Sequence, residues 1–475
     1  MAHSVYSPVT EEVVRDLVSL LGASGVTTDG EKCLAYSTDQ TIPRFEREYR
    51  ADAVCFPENT AQVSAVLKYA NERRIPVTPR GAGTGLSGGA VPALGGIVLS
   101  LERMNAILEI DRENRTLTTE PGVVTSEVTK AARNSGLFYA GDPCSGDISF
   151  IGGNVAENAG GNKVIKYGAT GAHVLGLEAV LPDGSIVTFG GKRRKDVTSY
   201  DFVHLLIGSE GTLAVVTKII LNLIPLPTCV TDLLVPMKSV EAAVKLTSLI
   251  TTEGGVIPSS VEYMDRESIL NVERYTSFRI PESDAAAQLI IQMEGMDRKQ
   301  LWTDVEKTGD ICMANGAREV FVAEDRNARE RVWRIRKYVA EEEWTASMPI
   351  LSKEDIVVPT SAVAEFLARL PRVAENHRAT FNAFGHIADG NIHITIFPKE
   401  AAPEEELHRR ADPLRRELYG QVRDLGGTLS GEHGIGLKRK DYAGIFLDEA
   451  QLRLMKRVKN AFDPNNILNP SKLVP

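Results

Sequence analysis

Residues Pro79–Ala90 read PRGAGTGLSGGA, with five glycines packed between Gly81 and Gly89. Gly83, Gly85 and Gly88 satisfy the spacing G-x-G-x-x-G, the fingerprint of a dinucleotide-binding Rossmann turn. The context removes that reading. A Rossmann fingerprint opens a helix, whereas Pro92, Gly95 and Gly96 follow here and a strand-like run comes next. No acidic residue closes a second strand about 20 residues on, and Glu102 comes too early. What remains is a phosphate-cradling loop of another kind. Clustered glycines let successive backbone N–H groups converge on an anion without a Cβ clash. Arg80 adds charge, and Thr84 and Ser87 add hydroxyl donors.

Outward from this loop, most of the 40 glycines of the 475-residue chain gather between Gly81 and Gly211 and again between Gly426 and Gly436. In the first region, turns separate strand-like runs at Ile75–Thr78, Gly96–Leu101, Thr116–Glu120 and Ile186–Phe189. Val63, Val66, Leu67 and Ala70 predict a helix over Thr60–Arg73, with Pro57 and Asn59 just ahead of it. A β-branched run, Leu213–Ile224, ends at Pro225 and Pro227, where a domain boundary is placed. Beyond it the helices lengthen: Val240–Thr252, Arg326–Thr345, Pro403–Leu425 and Glu449–Phe462. Strands are expected at Gln288–Met293 and Ile392–Phe397. No internal repeat or low-complexity segment is present.

Composition narrows the function classes. Hydrophobic residues make up 43% and charged residues 25%, the balance of a globular chain. A net charge of −9 argues against a general polyanion binder and hence against nucleic acid as partner. No apolar run approaches the roughly 18–20 residues that span a bilayer. The N-terminus has no apolar core of a secretory signal, and five scattered cysteines fit reduced thiols. A cytoplasmic protein, soluble or peripheral to a membrane, is the expectation. No CxxC or clustered cysteine offers an iron–sulfur site.

Two further glycine-rich elements accompany the first. Gly152–Gly168 reads GGNVAENAGGNKVIKYG and carries Asn154, Asn158 and Asn162; Gly208–Leu213 reads GSEGTL. Backbone amides and Asn side chains at close quarters suit a neutral, planar, multiply hydrogen-bonding ligand beside a diphosphate. A flavin fits that description. The histidines form a second constellation. Three of the eight lie in two tight motifs, GHIADGNIH over Gly385–His393 and GEHG over Gly431–Gly434. A turn at Asp389-Gly390-Asn391 lets two strands bring His386 and His393 together. Glu432, from a separate loop, completes a His/His/Glu set suited to Zn²⁺, Mn²⁺ or Fe²⁺.

The loop Pro79–Gly89, the GGNVAENAGG and GSEGTL stretches, and the closing FDPNNILNPSK (Phe462–Lys472) resemble the vanillyl-alcohol-oxidase/p-cresol-methylhydroxylase flavoproteins. The likeness is nearest to the FAD-linked D-2-hydroxy-acid dehydrogenases, which act on D-lactate, D-2-hydroxyglutarate or glycolate, and it runs along essentially the whole chain. It implies an α+β fold with a two-subdomain FAD-binding domain over 1–225. A cap or substrate domain carrying the histidine pair would span 226–425, and a segment over 426–475 would return to the FAD domain. By position it assigns Arg80, Gly81, Gly83, Thr84, Gly85 and Ser87 to the FAD diphosphate. Gly153, Asn154, Asn158, Gly160 and Gly161 fall near the ring, and Glu210, Gly211 and Asn469 match further cofactor contacts. Pro79–Ala90 holds no His or Cys, so non-covalent FAD is expected; Cys144 and His173 lie in other loops.

The same resemblance gives His386, His393 and Glu432 to a divalent metal, with zinc favoured and manganese or iron as alternatives. His433 becomes the base. The metal would chelate the substrate carboxylate and α-hydroxyl, His433 would take the hydroxyl proton, and hydride would pass to flavin N5. Arg336 and Lys353 match positions that contact a substrate carboxylate. The alternative for Arg336 is a solvated basic helix face with Arg329, Arg331, Arg334 and Lys337. Two residues depart from the 2-hydroxyglutarate pattern: Ala340 stands where a Thr is expected and Thr395 where an Asn is. Both changes favour a D-lactate-like monocarboxylate. Reoxidation would use an outside acceptor: an electron-transfer flavoprotein, quinone, cytochrome or iron–sulfur partner. Work as the flavin subunit of a larger redox complex or as a homodimer stays open, as does direct reaction with O₂. A metallohydrolase with merely structural glycine loops is the competing class.

Overall fold

The computed structural model describes residues 5–41, 49–340 and 349–473. The chain divides into two compact units. The first comprises Met1–Gly160, Gly168–Leu226 and Glu432–Pro475; the second comprises Gly161–Tyr167 and Pro227–Gly431.

Two sheets organise the first unit. The smaller has the order Val26–Thr27, Ala53–Cys55, Ile97–Ser100, Val77–Arg80, and its last three strands run parallel. Asn59 opens the helix Thr60–Arg73 by accepting the Gln62 N–H at 3.0 Å. The helix buries Val63, Val66, Leu67 and Ala70 against Val77, Ile97 and Leu99. Strand Val77–Arg80 delivers the chain into the glycine-rich loop, and strand Ile97–Ser100 takes it away parallel to the first. That strand–loop–strand order is what excluded a Rossmann turn. The larger sheet is antiparallel, in the order Ile107–Asp111, Thr116–Thr119, Val215–Asn222, Val174–Val180, Ile186–Gly190. Leu117, Val128, Ile151, Leu177, Leu206 and Ile219 form its core.

The C-terminal tail is structural to this unit. Helix Glu449–Phe462 starts at a capping box between Asp448 and Gln451. Asp463, fully buried, then accepts the N–H groups of Ile467 and Leu468 at 3.1 and 2.8 Å and turns the chain. The tail adds to the parallel sheet: Val77 donates to the Ile467 carbonyl at 2.8 Å, and Asn469 to the Val77 carbonyl at 2.7 Å.

The second unit is built on a seven-stranded antiparallel sheet. Its order is Phe321–Ala323, Cys229–Met237, Ala287–Gly295, Ser260–Asp265, Ala379–His386, Asn391–Pro398, Ser352–Val357. Helix Arg326–Ala340 sets Val332, Ile335 and Val339 against Leu234, Met264, Ile290 and Phe384. The expected continuation of that helix to Thr345 falls on residues outside the described ones. The strands expected at Gln288–Met293 and Ile392–Phe397 each extend by one to two residues at both ends.

Candidate functional site

In the first unit, three sequence motifs meet. Ser87, at the end of the glycine-rich loop, accepts the Leu437 and Lys438 N–H groups on its carbonyl at 2.9 and 3.0 Å. Glu210 of GSEGTL accepts the Ile435 and Gly436 N–H groups on its carboxylate at 2.7 and 2.6 Å. Asn469 donates to the Gly89 and Glu210 carbonyls at 3.1 and 2.7 Å, and Lys472 donates to the Gly89 carbonyl at 2.7 Å. Arg80 lies across Gly83, where a Cβ would sit 2.1 Å from its guanidinium, and it donates to the Thr38 carbonyl. Asn158, Glu210 and Asn469 all hold φ near +50°, a left-handed conformation that non-glycine residues adopt at a cost.

The electrostatics of this region are unusual. Burial pushes the Lys472 ammonium down to about 7, against the pull of Asp39, Glu210 and Glu157. Burial raises the Glu157 carboxyl well above its ordinary value, and the charges of Glu210 and Asp39 raise it further. Glu157 Oε2 and Ser87 Oγ are sealed from solvent with no hydrogen-bond partner among the described residues.

The GGN stretch behaves differently from a run of tight turns. Residues Ile151–Glu157 form a short helix closed by Asn158 in the left-handed conformation. Gly152 is required by close packing, since a Cβ there would lie 2.5 Å from the Pro121 Cβ. Asn154 is buried and donates to Thr125 Oγ1 at 2.7 Å, and Asn158 accepts the Gly171 N–H at 2.8 Å. Gly153, in contrast, has open space where its Cβ would be.

The histidine pair lies on the sheet of the second unit. His386 ends strand Ala379–His386 and His393 lies on the neighbouring strand, with ring centroids 5.3 Å apart and planes at 87°. A buried carboxylate backs each ring. Glu262 stands opposite His386 and accepts from its Nδ1 at 2.7 Å. Nδ1 is thereby committed as the donor, so that in its neutral form the ring carries its lone pair on Nε2. Asp355 stands opposite His393, with Oδ1 3.6 Å from Nδ1, beyond hydrogen-bond reach. Asp355 also accepts from Asn391 Nδ2 at 2.7 Å, Ser430 Oγ at 2.7 Å and the Gly431 N–H at 3.0 Å.

Arg336 does not belong to the solvated helix face. It is 3% exposed, donates through Nε to Glu262 at 2.8 Å, and lies 4.9 Å over the Phe384 ring. Arg331, Arg334 and Lys337 face solvent from the same helix. Burial alone would raise the Glu262 carboxyl, yet the charges of His386 and Arg336, and their hydrogen bonds, hold it below its ordinary value. Lys353 pairs in register with Thr395, two residues from the Asp355–His393 pair and on the same face. Glu432 and His433 open the last segment of the first unit, directly after Gly431 in the chain; His433 Nε2 lies 3.7 Å from Glu432 Oε1. Sequence reasoning missed Glu262, Glu157 and Lys472. Only the acidic residue at the centre of the strand Ser260–Asp265, between Val261 and Tyr263, marked Glu262.

The model of the FAD-linked oxidase C-terminal domain matches residues 226–473, and that of an FAD-binding domain matches residues 51–190. The chain belongs to the FAD-linked oxidases. This FAD-linked oxidase is 37% identical to glycolate oxidase subunit GlcD of Bacillus subtilis (strain 168), over 98% of this chain and 97% of that one. It is 35% identical to D-lactate dehydrogenase of Anaerostipes hadrus, over 89% and 90%. It is 30% identical to D-2-hydroxyglutarate dehydrogenase of Stutzerimonas stutzeri (strain A1501), over 97% and 98%. Its fold is shared with 4-ethylphenol oxidase from Gulosibacter chungangensis, at TM-score 0.79 and 19% identity over 99% of this chain and 98% of that one. It is also shared with p-cresol methylhydroxylase, at TM-score 0.77 and 18% identity over 97% and 95%. The two-domain FAD-binding fold expected from the sequence is the observed one, and the protein is an FAD-dependent oxidoreductase.

The residues of this oxidase fit FAD and a divalent metal ion. For FAD, the observations are the cation folded over Gly83, the unpartnered Ser87 Oγ and the open approach at Gly153. For a divalent metal, they are two close imidazoles, one of them oriented by a hydrogen bond to a carboxylate on the adjacent strand, as histidine ligands commonly are. Among the described residues no helix is long and apolar enough to cross a membrane.

Proposed function

We propose that this chain is an FAD- and divalent-metal-dependent dehydrogenase of a D-2-hydroxy acid, with a D-lactate-like monocarboxylate as substrate. The carboxylate-backed histidine pair, with Arg336 tied to the same Glu262, carries the reading. Relatives named for glycolate, D-lactate and D-2-hydroxyglutarate support the substrate class. His386 and His393 supply two nitrogen donors for the ion, zinc first among the candidates. Glu432, from the GEHG motif, is the third donor in this reading. The ion's chemistry is Lewis-acid polarisation of the α-hydroxyl. Arg336 and Lys353 hold the substrate carboxylate, a task that suits a guanidinium fork. His433 takes the hydroxyl proton. FAD, held without a covalent bond, supplies the two-electron acceptor when bound. Arg80, Ser87 and the glycine-loop amides hold its diphosphate. An external electron acceptor then completes turnover.

Anaerobic mixing of the flavin-loaded protein with a panel of D- and L-2-hydroxy acids tests this. D-Lactate is expected to bleach the flavin absorbance faster than D-2-hydroxyglutarate or any L-isomer. The absence of bleaching by every member refutes the reading, and faster bleaching by the diacid refutes the substrate lean. Acid precipitation tests the mode of attachment: the yellow colour should leave with the supernatant.

A further inference from the structure

The turn after His433 is held from two sides by motifs far away in sequence. Glu210 spends both carboxylate oxygens on consecutive N–H groups, Ile435 and Gly436, and is 4% exposed. It does so from a left-handed backbone conformation, φ +52°, which a glutamate adopts only when the surroundings enforce it. On the other side the Ser87 carbonyl takes the next two N–H groups, Leu437 and Lys438. The fit leaves no room for side chains. A Cβ on Gly436 would lie 2.3 Å from the Ser87 carbonyl oxygen, and one on Gly434 would lie 2.3 Å from Glu157 Oε2 and 3.0 Å from Glu210 Oε1. Arg439 closes the turn by donating to the Gly434 carbonyl at 3.0 Å. Asn469 ties the Glu210 backbone to Gly89, so the glycine-rich loop and Glu210 share one framework.

We propose that Glu210 is a positioning residue that hangs the turn carrying Glu432 and His433 on the glycine-rich loop, so that cofactor loading also orders the base. The coupling follows from the shared hydrogen bonds. A cofactor that orders Ser87–Gly89 orders both anchors of residues 435–438. The resemblance matches Glu210 to a cofactor-contacting position; in the structure its carboxylate is committed to the turn. The functional consequence rests on the reading of His433 as the base, whereas the structural coupling does not.

The test uses the full-length chain, wild type and Glu210→Gln, with FAD and after its removal. The amide keeps the side chain's shape but faces one N–H donor with another. Hydrogen exchange of the peptide spanning residues 432–438 is the direct readout. Hydrogen bonds to a charged acceptor account for roughly tenfold to hundredfold protection, so exchange in Glu210→Gln should accelerate by about that factor. FAD addition should protect this peptide in the wild type and no longer do so in the variant, while still protecting residues 81–89. With the best substrate, kcat should fall at least about tenfold with KM changed less than about threefold, and the pH limb of kcat should shift. Glu210→Asp should restore part of the protection. Equal exchange of residues 432–438 in wild type and variant overturns the proposal. Loss of protection in the variant, with no hydroxy acid reducing the wild-type flavin, leaves the clamp standing and overturns the function proposed above.

Discussion

Glu262 joins the two chemical halves of the histidine-bearing sheet, and Glu262→Gln is the most informative substitution there. The carboxylate is fully buried and accepts from His386 Nδ1 at 2.7 Å, Arg336 Nε at 2.8 Å and Ser260 Oγ at 3.1 Å. Glutamine keeps the volume but loses the charge and turns one acceptor into a donor. Two costs follow. Arg336 is left buried without its counter-charge, which typically costs about 3–5 kcal/mol. For a unit of about 200 residues that corresponds to a fall in Tm of roughly 10 °C. The second cost is to His386, whose ring loses the partner that fixes its tautomer. Removing such a carboxylate lowers metal affinity about 10- to 100-fold, or about 1.4–2.7 kcal/mol.

The two costs are separable. The double variant Glu262→Leu/Arg336→Met replaces the buried pair by apolar side chains, a change that is often near neutral for stability. It should recover most of the lost Tm and none of the lost metal affinity. The assay is competition of the full-length protein with a chromophoric chelator for Zn²⁺, alongside thermal unfolding of the same samples. Metal affinity of folded Glu262→Gln within about twofold of wild type refutes the reasoning, because His386 would then need no carboxylate behind it.

Three further outcomes are expected. Gly160→Ala places a Cβ 2.5 Å from Glu432 Oε2 and 3.1 Å from its Cβ, so Glu432 must move; Zn²⁺ affinity should drop about tenfold or more, and unchanged affinity removes Glu432 from the ligand set. Arg336→Lys cannot keep the guanidinium geometry toward Glu262 and should raise KM for a 2-hydroxy acid by at least about tenfold; an unaltered KM in the folded variant excludes Arg336 from the carboxylate site. Asp232, fully buried, has its carboxyl raised to about 6 by burial, against a hydrogen bond from Gln292. Its folded-state value lies above the unfolded one, so its contribution is complete below pH about 4 and is lost as the pH rises through about 6, by about 3 kcal/mol in all. Asp232→Asn should therefore gain stability relative to wild type between pH 4.5 and 7.5 in thermal melts, and a pH-independent difference refutes the assignment.

Much of the fold was legible because its signals are local. Helix Thr60–Arg73 announces itself by apolar spacing and an Asn cap, and the loop Pro79–Ala90 by glycines that neither a helix nor a strand would tolerate. The boundaries blurred where burial, not propensity, decides them. Strand Ala287–Gly295 runs past its apolar stretch because paired backbone continues as long as the neighbouring strand offers partners. The Ile151–Glu157 helix is not legible locally, because Gly-Gly-Asn has poor helix propensity. Packing of Gly152 on Pro121 overrides that penalty.

The site was legible in its donors and illegible in what aims them. His386, His393, Glu432 and His433 stand in short glycine-flanked motifs, so their chemistry is visible in a few residues. Glu262 lies 124 residues from His386 and 74 from Arg336 along the chain. Glu210 lies 225 from Ile435. No spacing rule spans such separations; the pairings exist only because strand Ser260–Asp265 is laid beside Ala379–His386 and because the tail returns to the first unit. Both glutamates also violate the expectation that a charge stays in water, and each is tolerated because donors wholly engage its carboxylate. A buried carboxylate met by two or three N–H or O–H groups is thus the feature of this fold that most directly marks where an imidazole or a loop must not move.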